Sequence, residues 1–276
     1  MGLREKSAEP ASTTSKGTVM TATTLEKADR TESKPGSSRL KRLARIAGLL
    51  YLAIFIVYPL STMVRSMLVV PGDATATAQN VAASEGLFRW GMAGEATIFV
   101  VEIALAAILY TLLRPVSRSL SLGASVARAA EAVVMAAGNL FTSILTLVAV
   151  GGAGYLAVFS PEQRDALGLF FQEANDYVVL TWGFFFALSL VLTGWLVFRS
   201  GFFPKVPGVL LVLAGIGYFA QSYGTIVAPG AADMLETVVL VLAIPGELVF
   251  ALWLLIKGVD EEKWLRRARA ADEALL

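Results

Sequence analysis

The sequence predicts an all-α protein: an integral membrane bundle of six transmembrane helices, both termini in the cytoplasm, with a disordered N-terminal tail. Three observations carry this. Apolar residues make up 56% of the 276-residue chain and charged residues only 16%, against about 25% charged in a soluble domain. The mean hydropathy of +0.66 is too high for a surface that faces water throughout. From Arg39 onward, six apolar runs follow one another, and a helix needs about 20 residues to cross about 30 Å of hydrocarbon.

Absences narrow the chemistry. The chain has no Cys and no His. That excludes disulfides, thiolate catalysis, Cys/His zinc sites, haem ligation through His and every Ser–His or Cys–His nucleophile pair. No cofactor and no metal site is expected. A formal net charge of +1 offers no basic face for a nucleic acid.

Residues 1–38 are rich in Ser, Thr, Lys, Glu and Ala and hold no aromatic residue. Such a segment buries too little apolar surface to offset its ordering entropy, so it reads as a disordered cytoplasmic tail. It lacks the apolar core of a secretory signal. Residues 39–258 form the transmembrane domain, with spans at 42–64, 88–113, 123–150, 176–198, 206–227 and 235–257. Runs this long and uniform are helices, not barrel strands. Residues 259–276 remain as a cytoplasmic C-terminal tail.

Orientation follows from Lys and Arg at the span ends. With the N-terminus inside, the inner segments hold thirteen: Arg39, Lys41, Arg42, Arg45, Arg114, Arg118, Arg199, Lys205, Lys257, Lys263, Arg266, Arg267 and Arg269. The outer side holds three, Arg65, Arg89 and Arg164. This places the protein in the cytoplasmic (inner) membrane, surrounded by lipid, with Ser160–Asp176 outside.

Two outer loops carry local structure signals. Ser160-Pro161-Glu162-Gln163 is a capping box with Pro at the first helical position. Leu167, Phe170 and Phe171 after it suggest a short interfacial helix. Pro71-Gly72-Asp73 reads as a turn followed by a capping Asp. The inner turn Arg199–Lys205 is short, so sequential helices should be antiparallel neighbours. A weak echo links Gly94-Glu95 to Gly246-Glu247; a parallel repeat of two helices and chance similarity both account for it.

Several strings resemble one known family. Arg42-Leu43-Ala44-Arg45-Ile46-Ala47-Gly48-Leu49-Leu50-Tyr51-Leu52 opens the first span. Pro71-Gly72-Asp73-Ala74-Thr75-Ala76-Thr77-Ala78-Gln79-Asn80 follows it. Next come Leu112-Leu113-Arg114-Pro115-Val116, Phe159-Ser160-Pro161-Glu162-Gln163 and Arg199-Ser200-Gly201-Phe202-Phe203-Pro204. Then come Gly208-Val209-Leu210-Leu211 and Glu247 with Trp253-Leu254-Leu255-Ile256-Lys257-Gly258. In this order and spacing they resemble the polytopic membrane family catalogued as domain of unknown function 4386, over about residues 39–258. The family implies the six-span architecture and no activity. One departure falls at position 102, where the pattern calls for Asp and this chain has Glu102, a carboxylate on a longer arm.

The residues that could carry chemistry are ionisable groups inside spans. A charge at the bilayer centre costs about 2.5–3.5 kcal/mol on insertion scales, so each one needs a reason. Glu95 and Glu102 lie seven apart on one face of the second span. Arg128 and Glu131 share a face of the third, continued by Met135, Asn139 and Thr142. Glu247 is central in the sixth, just after Pro245-Gly246. Four acids face one base. Arg128 is expected to bridge Glu131 to Glu102 or Glu247 rather than snorkel to the interface. At least one acid is left over; it must be protonated, hydrated or facing a cationic ligand.

Glu95, Glu102, Arg128, Glu131, Asn139 and Glu247 are thus one candidate cluster. It is read either as a packing network or as a polar cavity for a proton, a cation or a small polar ligand. Tyr218, Gln221, Ser222 and Thr225 form a polar stripe read as helix packing. Trp182, Trp195 and Trp253 are read as interfacial anchors. Three functions fit. The first is binding of a small or lipid-like ligand by a transporter or sensor. The second is an integral-membrane enzyme using Glu102 or Glu247 as acid and base. The third is a structural or partner-binding membrane module.

Overall fold

A computed structural model describes Gly2 and residues 37–273. The tail expected over residues 1–38 lies outside the described residues, apart from Gly2 and residues 37 and 38. Among the described residues there are helices and no strands. Six of the helices are long and apolar enough to cross a membrane.

The first span, α1 (Ser37–Leu68), carries Pro59 inside it. Pro71 and Gly72 then turn the chain, with Gly72 at φ +74°, a region that favours glycine. Asp73 caps α2 (Ala74–Ala83) by accepting from the Ala76 N–H at 2.9 Å. Asn80 Nδ2 donates back to the Leu68 carbonyl, at the C-terminal end of α1. The second span is α3 (Glu85–Leu113) and the third α4 (Arg118–Val150), capped by Ser117.

The fourth helix corrects one expectation. Ser160 and Gln163 do form the capping box, but they open a continuous 40-residue helix, α5 (Pro161–Ser200), not a separate interfacial one. At about 1.5 Å per residue it is about 60 Å long, twice the hydrocarbon thickness. Its first turns bury Gly168, Leu169, Gln172 and Asn175 against α4, whereas Phe170 is exposed. The polar spacing of Gln172 and Asn175 holds this extension in place. Gln172 Nε2 donates to Thr146 Oγ1 at 2.8 Å and Asn175 Nδ2 to Asn139 Oδ1 at 3.0 Å.

Gly201, at φ +74°, ends α5 and starts the turn into α6 (Lys205–Val227), the fifth span. The sixth, α7 (Ala232–Ile256), contains Pro245. Residues 259–276, read from the sequence as a tail, hold a further helix, α8 (Glu261–Glu273). It docks against the start of α1 and the end of α3. The Trp264 indole N–H donates to the Leu112 carbonyl at 2.8 Å, and Glu261 accepts from the Lys41 N–H at 3.1 Å. The first bond satisfies a carbonyl in the last turn of α3, where the helix offers no donor of its own.

Consecutive spans pack as neighbours, and the first and last close the ring. A Cβ on Gly48 of α1 would lie 2.6 Å from the Leu255 nitrogen of α7. Backbones also meet at Gly194 and Gly208 between α5 and α6, and at Gly246 of α7 against the Leu210 carbonyl of α6, as expected where helix association in lipid rests on close van der Waals contact. The main apolar core, including Leu109, Leu112, Leu190, Leu196, Leu211, Phe250 and Leu254, lies in the half of the bundle nearer the termini.

Candidate functional site

The α4 face that carries Arg128 points into the bundle because its spacing of three and four residues puts Arg128, Glu131, Met135, Asn139 and Thr142 on one side, all buried. Arg128 is 1% exposed, so it does not snorkel. Its Nε donates to Glu102 Oε2 at 2.6 Å and its Nη2 to Glu102 Oε1 at 3.3 Å. This is the two-pronged arrangement that suits a guanidinium and a carboxylate. The guanidinium also lies over the rings of Tyr51, 4.9 Å from its centroid, and Phe186, at 5.4 Å. The longer arm at position 102 is what meets Arg128 here.

The expected bridge through Arg128 to Glu131 does not form. Glu131 is fully buried, and neither of its carboxylate oxygens accepts a hydrogen bond. Arg128 spends two donors on Glu102, and Nη1 is left buried without an acceptor. One helical turn separates Arg128 from Glu131, but the guanidinium reaches across to α3 instead of along α4.

A second pair involves a residue read from the sequence only as outer-loop charge. Arg65, in the last turn of α1, donates through Nη2 to Glu95 Oε1 at 3.1 Å. Its position one helical turn before the end of an apolar run, level with the first turns of the next span, was the signal. Glu247 has a neutral partner, the Tyr218 hydroxyl, which donates to Oε1 at 3.3 Å.

These groups surround a cavity of about 310 Å³ to which all six spans contribute. Glu95, Glu102, Arg128, Asn139 and Glu247 line it; Glu131 does not. Apart from Thr62, the rest of the wall is apolar and aromatic. Trp182, read as an interfacial anchor, lines the cavity, stacked on Phe186 at 4.7 Å with the Tyr218 ring edge-on at 5.5 Å. Tyr218, read as part of a packing stripe, is likewise a wall residue.

The cavity reaches the flank of the bundle. Its lining includes Pro59 of α1 and Leu240 and Ile244 of α7, which are exposed on the lipid-facing surface. A few turns beyond the close approach of α1 and α7 at Gly48, the cavity wall thus includes surface residues of both helices. The Gly-Glu echo has a counterpart in space. Gly94 sits against the Ser61 hydroxyl and Gly246 against the Leu210 carbonyl, while the glutamate after each faces the cavity.

Comparison with known proteins agrees with this architecture and names no activity. The family model described as "Domain of unknown function (DUF4386)" matches residues 46–258. An uncharacterised protein of Archaeoglobus fulgidus is 30% identical over 174 residues, covering 61% of this chain and 84% of the relative. No solved structure matches. With the match running from the first span to the end of the sixth, the chain belongs to the DUF4386 family and is a multi-pass membrane protein.

Proposed function

We propose that the protein binds a small or lipid-like ligand in the cavity between its spans, as a transporter or sensor, and that it sits in the cytoplasmic membrane with both termini inside. The observation that carries the binding reading is the cavity itself. A purely architectural cluster would be dry and closed, whereas this one adjoins about 310 Å³ of space that reaches the lipid-facing flank. An apolar wall with a few convergent polar groups is the usual make-up of a ligand pocket. The orientation rests on the thirteen-to-three distribution of Lys and Arg.

The chain has no Cys, so single-cysteine variants give a clean test in proteoliposomes and intact cells. Ala132→Cys lies on the cavity wall and Ala124→Cys in the apolar core. N-ethylmaleimide should modify the first and not the second. Modification of Ala132→Cys should slow in the presence of at least one of three small probes: 2-phenylethylammonium, 2-phenylethanol or phenylacetate. An Ala132→Cys thiol as inert as the control, or one that no probe protects, overturns the binding reading. Gln163→Cys should react with an impermeant reagent on intact cells and Glu262→Cys, exposed on α8, should not; the reverse pattern inverts the orientation.

A further inference from the structure

Three carboxylates line the cavity, and they are not equivalent. Glu95 is paired with Arg65 and Glu102 with Arg128. Glu247 is 8% exposed and faces the cavity, and its one hydrogen bond comes from a neutral hydroxyl. A buried carboxylate without a cation beside it carries a large desolvation cost. Something must offset that cost, and among the described residues no Lys or Arg is ion-paired with Glu247, the nearby Arg128 being bonded to Glu102 instead.

The neighbouring wall is suited to one kind of visitor. Trp182, Phe186 and Tyr218 are in mutual contact, and Tyr218 is the residue that touches Glu247. Aromatic faces next to a carboxylate attract a weakly hydrated cation, most strongly where water is excluded. On α1, Pro59 has no N–H, so the carbonyl of Phe55, another lining residue, loses its helical donor and remains an acceptor. Arg128 does not offset this bias toward cations. It lines the cavity, but it is held by Glu102 and two rings, and its remaining Nη1 is buried. Glu131 behind the wall adds a second carboxylate with no ion pair among the described residues.

Building on the cavity-binding reading above, we propose that the ligand is an organic cation, a substituted ammonium with an apolar body, its nitrogen on Glu247 and its body against Trp182, Phe186 and Tyr218. Pro59 and Ile244, exposed lining residues, mark the side on which such a molecule would enter from the bilayer, where amphipathic amines partition.

The three probes of the labelling experiment share an aromatic body and differ in charge, so they separate this proposal from the reading beneath it. In the Ala132→Cys protein, 2-phenylethylammonium should protect the thiol at concentrations about tenfold lower than 2-phenylethanol or phenylacetate, the scale of one desolvated cation–π and ion contact. Adding Glu247→Gln should abolish that advantage and leave protection by the alcohol unchanged, which also shows the cavity intact. Equal protection by all three probes overturns the cation assignment while the cavity reading stands, and strongest protection by phenylacetate replaces it with an anion site. An ammonium preference that survives Glu247→Gln removes Glu247 from the site. Failure of every probe is failure of the cavity reading itself. The three-probe comparison decides even where Glu247→Gln does not fold.

Discussion

The two halves of the bundle are built on different physics. Near the termini, the spans meet backbone to backbone at Gly48, Gly194 and Gly208, and Leu, Val and Phe side chains fill what is left. Among the described residues, Arg128 meets that core only at its edge, over Tyr51 and Phe186, and Glu261 accepts from the Lys41 N–H from outside the spans. In the other half, ion pairs and amides join the helices beside a smaller apolar cluster at Leu68, Val81 and Phe88: Arg128 with Glu102, Arg65 with Glu95, Asn175 with Asn139, Gln172 with Thr146. The cavity lies in this second half. In lipid there is no hydrophobic drive between helices, so the first half holds by van der Waals contact and the second adds polar complementarity to it. A site that must open to a visitor is better placed where the walls are joined by a few directional bonds than where they interlock along their length.

The contrast can be broken at its most loaded contact. Arg128→Gln leaves Glu102 buried without its cation, and breaking a buried pair costs about 3–5 kcal/mol. Melting of the purified protein should show a loss of that order, and the double variant Arg128→Gln/Glu102→Gln should recover a large part of it, since both charges then leave together. A single variant as stable as the parent would mean that the pair holds nothing. A smaller loss is expected in the other half. Gly208→Ala places a Cβ 2.6 Å from the Phe198 nitrogen and 2.7 Å from the Gly194 carbonyl oxygen, and forcing two backbones apart costs about 1–3 kcal/mol. The same substitution at Gly86, at the start of α3, meets open space. Gly86→Ala should stay within about 0.5 kcal/mol of the parent. Equal melting temperatures for Gly208→Ala and Gly86→Ala would show that the close approach between α5 and α6 does not govern stability.

The architecture was legible because the bilayer imposes a length and a hydropathy that the six runs meet one by one. The residues that gather at the cavity were legible for a related reason: a charged side chain in an apolar run stands out, and Glu95, Glu102, Arg128 and Glu247 stood out as such. Their pairings were not. Arg128 lies one turn from Glu131 in the chain, yet its partner is Glu102 of α3, because the rotation of two helices about their axes depends on packing that no single helix encodes. Trp182 and Tyr218 were missed as cavity residues, and Arg65 as the partner of Glu95, because a Trp or Arg near a span end serves equally well at the interface and a Tyr in a polar stripe serves equally well in packing. The extension of α5 was hidden by its polarity. Gln172 and Asn175 read as loop residues until their partners Thr146 and Asn139 are seen opposite them.

The contact between the two ends of the chain has a consequence in time. Glu261 caps the backbone of Lys41 across 220 residues, and Gly48 seats against Leu255. At about 5–20 residues per second of synthesis, the first span waits in the membrane on the order of 10–45 s before the helices that complete it emerge. During that interval its cavity-lining face, with Tyr51, Tyr58 and Thr62, has no sixth span to rest against. The ring can close only after the last helix is made, so the ligand cavity is among the final features of the molecule to exist.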